Sequence, residues 1–235
     1  MNSERDRAEE ACAYHRAERE KSNNDQYLSW LLDPLQITEN STFLDLGCGS
    51  GYVNDYLAST KVLRHNIGFD FDLSAVRLAR ESETHPGRIS WLCASGTAIP
   101  LPDKSIDHMV CRVVLPFVGV KQAASEIGRI IRPGGTIALS LHPWSFYLRW
   151  LSLRPRNWKR TIAGTLILIS SAWFNITGLE LRLRLGRHRI NQSFQTEYRM
   201  RLLLQKYELI VRHVVREPEF VVYAKSTHHQ LSARG

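Results

Sequence analysis

Residues able to do chemistry are concentrated in the segment FLDLGCGSGY, where a short apolar run carrying one acid, Asp45, leads into a glycine-rich stretch. The closely spaced glycines are Gly47, Gly49 and Gly51. Such spacing is typical of a backbone that turns sharply or approaches a ligand closely. A second acid, Asp70, stands 19 residues after Gly51. In nucleotide-binding folds, an acid at about this separation in sequence accepts hydrogen bonds from ribose hydroxyls.

The glycine stretch lies between a predicted strand, residues 42–46, and a predicted helix, residues 52–59. The start of a helix offers free backbone N–H groups and a partial positive charge, so we expect a polar or anionic ligand there. A dinucleotide fingerprint would need glycine where the sequence has Tyr52, which weakens a nicotinamide-cofactor interpretation. Asp70 favours recognition of a ribose over recognition of a phosphate.

Strand and helix signals continue to alternate after this point. Further strands are predicted at 65–70, 89–93, 106–111 and 136–141, helices at 74–80 (with Ser74 as N-cap) and 121–131, and a turn at 132–135. Repeated βα units imply an α/β fold with a mostly parallel sheet, helices on both faces, and ligands at the carboxyl ends of the strands.

Four segments, in order, resemble the class I S-adenosylmethionine-dependent methyltransferases, specifically the methyltransferase type 11 domain. They are FLDLGCGSGY, IGFDFDLSAVRLAR, TAIPLPDKSIDHMVCRVVLPFV and EIGRIIRPGGTIALS. The resemblance covers residues 42–141, and residues 195–225 fit the helix and antiparallel hairpin that complete the family's sheet. It implies a Rossmann-like, seven-stranded, mostly parallel sheet, with S-adenosylmethionine as cofactor and S-adenosylhomocysteine as product.

The resemblance also implies cofactor-binding roles. Asp45 and the backbone of the glycine stretch would face the amino acid part of the cofactor, Asp70 would hold both ribose hydroxyls, and Phe71 would lie against the adenine. The implied set is Asp45, Gly47, Cys48, Gly49, Gly51, Asp70, Phe71, Ser95, Gly96 and Arg112. The Cys48 thiol is expected to be a small filler of the loop, since no histidine partner lies nearby in sequence.

The loop ASGTAIP departs from the family pattern. Where the family usually has an aspartate contacting the adenine amino group, this chain has Ser95, so Ser95 and Gly96 offer only a hydroxyl and backbone groups. Replacing a charged hydrogen bond by a neutral one predicts cofactor binding weaker by about 1 to 2 kcal/mol. The alternative is that Ser95 is an ordinary loop residue.

His142 is the candidate general base. It directly follows the strand at 136–141 and therefore stands at the ligand-binding edge of the sheet. Methyl transfer is an in-line step that needs positioning and shielding from water more than covalent help, although a hydroxyl acceptor benefits from a base. The alternative is that His142 only shapes the turn before Pro143.

The predicted insertion at 143–193 contains the chain's excess of positive charge. The formal net charge is +8, and residues 149–189 contain nine Lys or Arg and one acid, Glu180, so this segment accounts for all of it. A long segment between elements of a compact domain is usually functional, and we expect it to cover the substrate as a lid.

The centre of the insertion, residues 161–179, carries no charge and has basic flanks, which superficially suggests a membrane span. One crossing here would separate the last strands from the sheet they complete, so an apolar lid helix is expected instead. Helical spacing places on one stripe Ile162, Leu166, Ile169, Trp173 and Ile176. Two alternatives stay open: peripheral contact with an anionic membrane surface through 149–189, or packing of the lid's leucines and isoleucines onto the domain, with the arginines keeping it soluble. The alternating residues 179–185 predict a half-buried strand.

Composition restricts the remaining classes of function. The four widely separated cysteines support neither disulfides nor a zinc site, the charged N-terminus lacks the apolar core of a secretory signal, and a cytoplasmic location is expected. The predicted organisation is an N-terminal helical segment (1–41), a cofactor-binding core (42–142), a substrate-lid insertion (143–193), a closing helix and hairpin (194–225) and a flexible tail (226–235).

The favoured function is methylation of a small lipophilic or acidic acceptor, such as a quinone-like compound, isoprenoid, lipid or secondary metabolite. An RNA methyltransferase using the basic insertion is a second hypothesis, but RVVLPF replaces the N-P-P-Y type of segment that grips an exocyclic amine, so nucleic acid is disfavoured. A non-catalytic subunit with the cofactor fold is the third. The oligomeric state is not predicted.

Overall fold

The computed structural model describes residues 13, 25–142, 146, 158–181, 183–185, 188–190, 194–217 and 219–227. Several predictions fall on other residues. Nearly all of the N-terminal stretch 1–24, residues 149–157 of the basic segment and residues 228–235 of the expected tail lie outside the described ranges.

The α-helices with described bounds are α1 (Asp25–Leu32), α2 (Tyr52–Thr60), α3 (Leu73–Glu81), α4 (Val120–Ile130), α5 (Trp158–Thr177) and α6 (Glu197–Gln205). The strands are β1 (Thr42–Leu46), β2 (His65–Asp70), β3 (Ser90–Cys93), β4 (Ile106–Arg112), β5 (Ile131–Leu141), β6 (Leu183–Leu185), β7 (His188–Ile190), β8 (Leu209–Val215) and β9 (Phe220–Ser226).

Seven strands form one sheet in the order β3-β2-β1-β4-β5-β9-β8. The first five pair in parallel, and β9 is antiparallel to both of its neighbours. The order changes direction at β1, with β2 on one side and β4 on the other. The usual ligand site of such sheets lies at this point, at the carboxyl ends of β1 and β4. The predicted Rossmann-like, mostly parallel fold is confirmed.

Two apolar clusters cover opposite faces of the sheet, because successive strand side chains point to opposite sides. Leu44 of β1 and Met109 of β4 belong to the cluster that includes α4 and α6. Phe43 and Val110, one residue along on the same strands, belong to the cluster that includes α1 and α2. Helices on both faces hold β1 and β4 rigidly at the centre.

Two local predictions need correction. The N-cap of α3 is Asp72, whose carboxylate accepts a 2.9 Å hydrogen bond from the Ser74 N–H, so Ser74 lies inside the helix and is not its cap. β5 begins at Ile131, because Ile131 pairs with Ile106 before the irregular stretch 132–135, and regular pairing resumes at Thr136. The predicted turn is thus an irregularity within a strand.

The α5 helix presents the opposite face from the one expected for packing. Of the predicted stripe, four side chains are exposed and Leu166 is half-buried. The buried positions of the helix are Gly164, Ile167, Ser170, Ser171 and Phe174. The stripe is therefore mostly exposed, while Ile167, with Leu166 and Leu168 beside it, packs inward.

After α5, the predicted single strand at 179–185 is instead a short antiparallel pair, β6 and β7, in a separate two-stranded sheet. Among the described residues, no helix meets the length and apolarity that a membrane crossing requires.

Candidate functional site

The glycine loop after β1 has three residues with positive φ, Gly47 (+83°), Gly49 (+52°) and Gly51 (+75°). Side chains at two of these positions are also excluded by neighbours. A Cβ on Gly47 would collide with Val114, and one on Gly51 would collide with the Trp91 ring. The loop needs glycine for both backbone conformation and close packing.

Four backbone N–H groups of this loop are engaged within the protein. Gly47 and Cys48 both donate to the carbonyl of Phe69, at 2.7 and 2.9 Å. Gly49 donates to Asp70 at 2.9 Å, and Gly51 donates to the Cys48 carbonyl at 2.8 Å. These bonds fix the loop against the end of β2.

Asp70 is a buried carboxylate at the carboxyl end of β2. Its Oδ2 accepts from Gly49, and its Oδ1 accepts a 2.9 Å bond from the N–H of Asp72. Because each carboxylate oxygen has two acceptor sites, both oxygens retain capacity for a hydroxyl donor. The geometry is compatible with the predicted contact to ribose.

Asp45 is the buried acid of β1. The pKa of this carboxyl is raised to about 7, chiefly by burial; the Arg112 guanidinium opposes the shift and the Asp70 charge adds to it. Asp45 therefore shares its surroundings with both Asp70 and Arg112. A cationic group entering this site would favour the ionised carboxylate.

Arg112, the last residue of β4, lies between two tyrosine rings. Its guanidinium is 5.2 Å from the centroid of Tyr27 and 5.0 Å from the centroid of Tyr52, within the range of a cation–π interaction. Among the described residues, the buried Tyr52 hydroxyl and the buried Arg112 Nε have no hydrogen-bond partner. These two buried polar atoms are available to hydrogen-bond a water or a polar ligand.

The chain bends sharply just after Arg112. Val113 has φ +55°, a left-handed conformation that is strained for a β-branched residue. Its N–H donates to the Ser140 carbonyl at 2.9 Å, which holds this conformation. Strained backbone of this kind concentrates at functional sites.

Glu219, immediately before β9, is a site residue that the sequence analysis missed. Its carboxylate accepts hydrogen bonds from the Tyr27 hydroxyl at 2.8 Å and the Ser140 hydroxyl at 2.7 Å. Arg112 Nη2 lies 4.0 Å from Glu219 Oε1. Because β9 is antiparallel to β5, its beginning meets the carboxyl ends of β4 and β5. Only this pairing brings residues so distant in sequence together.

His142 follows β5 at the same edge. Its ring stacks on Phe146, with centroids 3.8 Å apart and planes inclined by 8°. Burial lowers the pKa of His142 below its ordinary value, while the Glu219 charge opposes that shift. The imidazole is therefore neutral at neutral pH, the state that a general base requires.

The residues expected to contact adenine lie at the ends of β2 and β3. Phe71 is 75% exposed directly after β2. The Ser95 hydroxyl is 2.8 Å from the Thr97 hydroxyl, within its own loop, and Gly96 is buried. The Ser95 hydroxyl is thus already engaged locally, which is compatible with the prediction of a weak contact.

Cys48 occupies the loop as a buried filler. Burial raises the pKa of its thiol well above the ordinary value, and the charges of Asp45 and Asp70 raise it further. The thiol is therefore protonated at neutral pH, which disfavours a nucleophilic role. Among the described residues, no group of three or more His, Cys, Asp or Glu is arranged to hold a metal ion.

The combined donor set suits a ligand with an amino acid part and a ribose. An ammonium group would find Asp45, a carboxylate would find the unsatisfied donors of Tyr52 and Arg112, and a ribose would find Asp70. The structure brings the predicted residues Asp45, Asp70 and Arg112 together, and it adds Tyr27, Tyr52, Ser140 and Glu219. Of these four, only Tyr52 had a signal in sequence, as the residue following the third glycine.

The chain is similar to several known methyltransferases. Residues 44–139 match a family described as a methyltransferase domain. The 2-phytyl-1,4-naphtoquinone methyltransferase of Thermosynechococcus vestitus is 31% identical over 111 residues, 46% of this chain and 49% of that protein. The malonyl-[acyl-carrier protein] O-methyltransferase of a Marinomonas species is 25% identical over 155 residues, 65% of this chain and 50% of that protein.

A chain from the complex of the Haloferax volcanii Trm112 methyltransferase activator with a methyltransferase has a similar fold, with a TM-score of 0.66. The alignment covers 93% of this chain and 98% of that one, at 18% identity, so the likeness concerns the fold alone. This chain spans half or less of the length of the curated relatives that it matches.

Proposed function

We propose that this chain is a class I S-adenosylmethionine-dependent methyltransferase and that it transfers the methyl group of S-adenosylmethionine to a small lipophilic or acidic acceptor. The observation that carries the proposal is the polar cluster at the carboxyl ends of β1, β2 and β4. There, buried carboxylates lie beside buried donors that have no partner among the described residues.

Each part of the cofactor has residues that would hold it. Asp45 would bind the ammonium of the amino acid part, and Arg112 with Tyr52 would bind its carboxylate. Asp70, held in place by the Gly49 N–H, would accept the ribose hydroxyls. Phe71, Ser95 and Gly96 would line the adenine site.

The bound cofactor supplies an activated methyl group, so the protein's main tasks are to orient the acceptor and exclude water. For a hydroxyl acceptor, an imidazole nitrogen of His142 takes the proton, and the nearby Glu219 carboxylate stabilises the resulting imidazolium. Tyr27 and Ser140 hold that carboxylate in place by hydrogen bonds.

The class of acceptor is favoured by the names of two relatives. Two relatives act, by name, on a phytyl naphthoquinone and on a malonyl-acyl-carrier protein. The first supports a quinone-like or isoprenoid acceptor, and the second supports an acidic one.

The proposal is tested by incubating the protein with methyl-labelled S-adenosylmethionine and a host cell extract, followed by separation into lipid, small-molecule, protein and RNA fractions. We expect label in the lipid or small-molecule fraction and its loss in the Asp70→Ala variant. Label mainly in RNA would contradict the acceptor class, and label that is unchanged by Asp70→Ala would contradict the site.

A further inference from the structure

The outer face of α5 is apolar and exposed. The exposed fractions are 38% for Ile162, 54% for Ile169, 43% for Trp173 and 78% for Ile176, and Leu179 just beyond the helix is 53% exposed. These residues are spaced by three, four or seven positions, so they lie on one side of the helix. A row of large apolar side chains on a protein surface is typical of an interaction site.

The orientation of α5 is fixed by hydrogen bonds from its polar face. The Ser171 hydroxyl accepts from the Phe194 N–H at 2.9 Å, and the Asn175 amide donates to the Phe194 carbonyl at 3.0 Å. Asn175 Oδ1 also accepts from the N–H of Thr196 at 2.9 Å. Arg199 Nε donates to the Asn175 carbonyl at 2.9 Å. The polar residues are thus turned into the protein, and rotation that buried the apolar face would break these bonds.

Polar side chains on the outer side are satisfied within the helix itself. The Thr165 hydroxyl donates to the Thr161 carbonyl at 3.0 Å, and the Thr177 hydroxyl donates to the Trp173 carbonyl at 2.8 Å. Neither hydroxyl donor would be left unsatisfied in an apolar medium. The two hydroxyls therefore add little cost when this face enters hydrocarbon, and the Trp173 indole suits the headgroup boundary, where its N–H stays hydrated.

The charge of the segment that contains α5 indicates which kind of partner suits the apolar face. Residues 149–189 contain nine Lys or Arg against a single acid, Glu180. Glu180 is turned towards the core, where its Oε1 accepts a 2.9 Å bond from the Lys121 N–H. Two copies meeting through this face would bring two strongly cationic segments together, which is unfavourable. An anionic surface is complementary to the same segment.

We propose that α5 lies in the plane of an anionic lipid bilayer, with Ile162, Ile169, Trp173 and Ile176 inserted at the headgroup boundary. The excess of Lys and Arg in residues 149–189 complements the anionic headgroups of such a bilayer. This inference goes beyond methyl transfer and is tested without cofactor or acceptor, so its failure would leave the proposed function intact.

The test measures binding of the full chain to phosphatidylcholine vesicles with and without phosphatidylglycerol, by co-sedimentation at low and high salt. We expect binding to the anionic vesicles that weakens as salt rises. The double variant Trp173→Ser, Ile176→Ser should weaken that binding by about tenfold or more, since both side chains would leave the bilayer. The matched control is Val62→Ser, Ile210→Ser, which replaces two exposed aliphatic residues elsewhere and should bind as wild type does.

A second variant, Lys159→Glu, Arg160→Glu, tests the charge without altering the apolar face and should also weaken binding to anionic vesicles. No binding at low salt would overturn the proposal. So would equal binding by the wild type and the Trp173→Ser, Ile176→Ser variant. Self-association in ultracentrifugation that this variant abolishes, without vesicle binding, would instead assign the face to a second copy of the chain.

Discussion

The Asp70 carboxylate accepts a 2.9 Å hydrogen bond from the backbone N–H of Gly49, which joins the end of β2 to the glycine loop after β1. This bond therefore couples the two elements that would hold the ribose and the amino acid part of the cofactor. Removal of the Asp70 carboxylate should therefore make the glycine loop less ordered even when no ligand is bound.

The first prediction concerns this bond. Asp70→Ala leaves the Gly49 N–H without its acceptor, so hydrogen exchange at the Gly49 amide should accelerate by about tenfold or more. Exchange followed by NMR measures it. Asp72→Ala is the control, since it removes the N-cap of α3 but not the Gly49 contact. Unchanged Gly49 exchange in Asp70→Ala would show that the bond does not order the loop.

The second prediction separates backbone strain from steric exclusion. Gly51 and Gly87 both have positive φ, +75° and +82°, but a Cβ on Gly51 meets the Trp91 ring, while one on Gly87 meets nothing within 4 Å. Gly87→Ala should cost about 1 kcal/mol, from strain alone. Gly51→Ala should cost roughly 2 to 4 kcal/mol, because overpacking adds to the strain.

Urea unfolding of both variants measures these free energies. Equal losses would mean that the loop rearranges to accommodate a side chain, and the packing argument for Gly51 would then fail.

The third prediction follows from Asp45. Its folded pKa of about 7 lies above the ordinary 3.8, so between these values the folded state binds a proton that the unfolded state releases. The free energy of unfolding should therefore fall as pH rises through this window. The Asp45→Asn side chain cannot ionise. Between pH 5 and pH 8 the free energy of unfolding should therefore fall by about 2 to 3 kcal/mol more in the wild type than in Asp45→Asn.

Urea unfolding at pH 5 and pH 8, with and without the substitution, tests the sign and size of this effect. Parallel pH dependence in the two proteins would show that Asp45 titrates normally.

The fourth prediction concerns His142. If it takes a proton from the acceptor, kcat should fall roughly hundredfold or more in His142→Ala. The wild-type rate should decline as pH falls through a pKa below the ordinary 6.5, because the protonated imidazole is no longer a base. His108→Ala is the matched control, since that imidazole, which contacts Thr136, precedes the site on β4.

Steady-state kinetics over a pH range provides the test. Two results in His142→Ala would contradict a role as base: an unchanged kcat, or a rate that still declines at low pH as in the wild type. His142 would then have only a packing role against Phe146.

The sheet could be predicted from the sequence because each strand is indicated by a short pattern of neighbouring residues. Apolar runs predict the strands, and the strands place Asp45 and Asp70 at the same edge of the sheet. Short-range steric effects determine the backbone conformation of the glycine loop. The network around Glu219 could not be predicted, because it depends on the antiparallel pairing of β5 with β9. That pairing joins Ser140 to a residue 79 positions away.

The orientation of α5 could not be predicted, for a related reason. Helical periodicity shows that Ile169 and Trp173 share a face, but it does not show whether that face is inside. Hydrogen bonds from Ser171 and Asn175 to the segment before α6 decide the matter. Those partners are about 20 residues away, beyond the reach of a periodicity argument.

The most direct test of the account is calorimetric titration of S-adenosylhomocysteine into the wild type, Asp70→Ala and Asp72→Ala. We predict one binding site in the wild type, similar affinity in Asp72→Ala, and affinity weaker by about tenfold or more in Asp70→Ala, which loses the ribose hydrogen bonds. No binding to the folded wild type, or equal affinity in the wild type and Asp70→Ala, would contradict the assignment of the cofactor to this site.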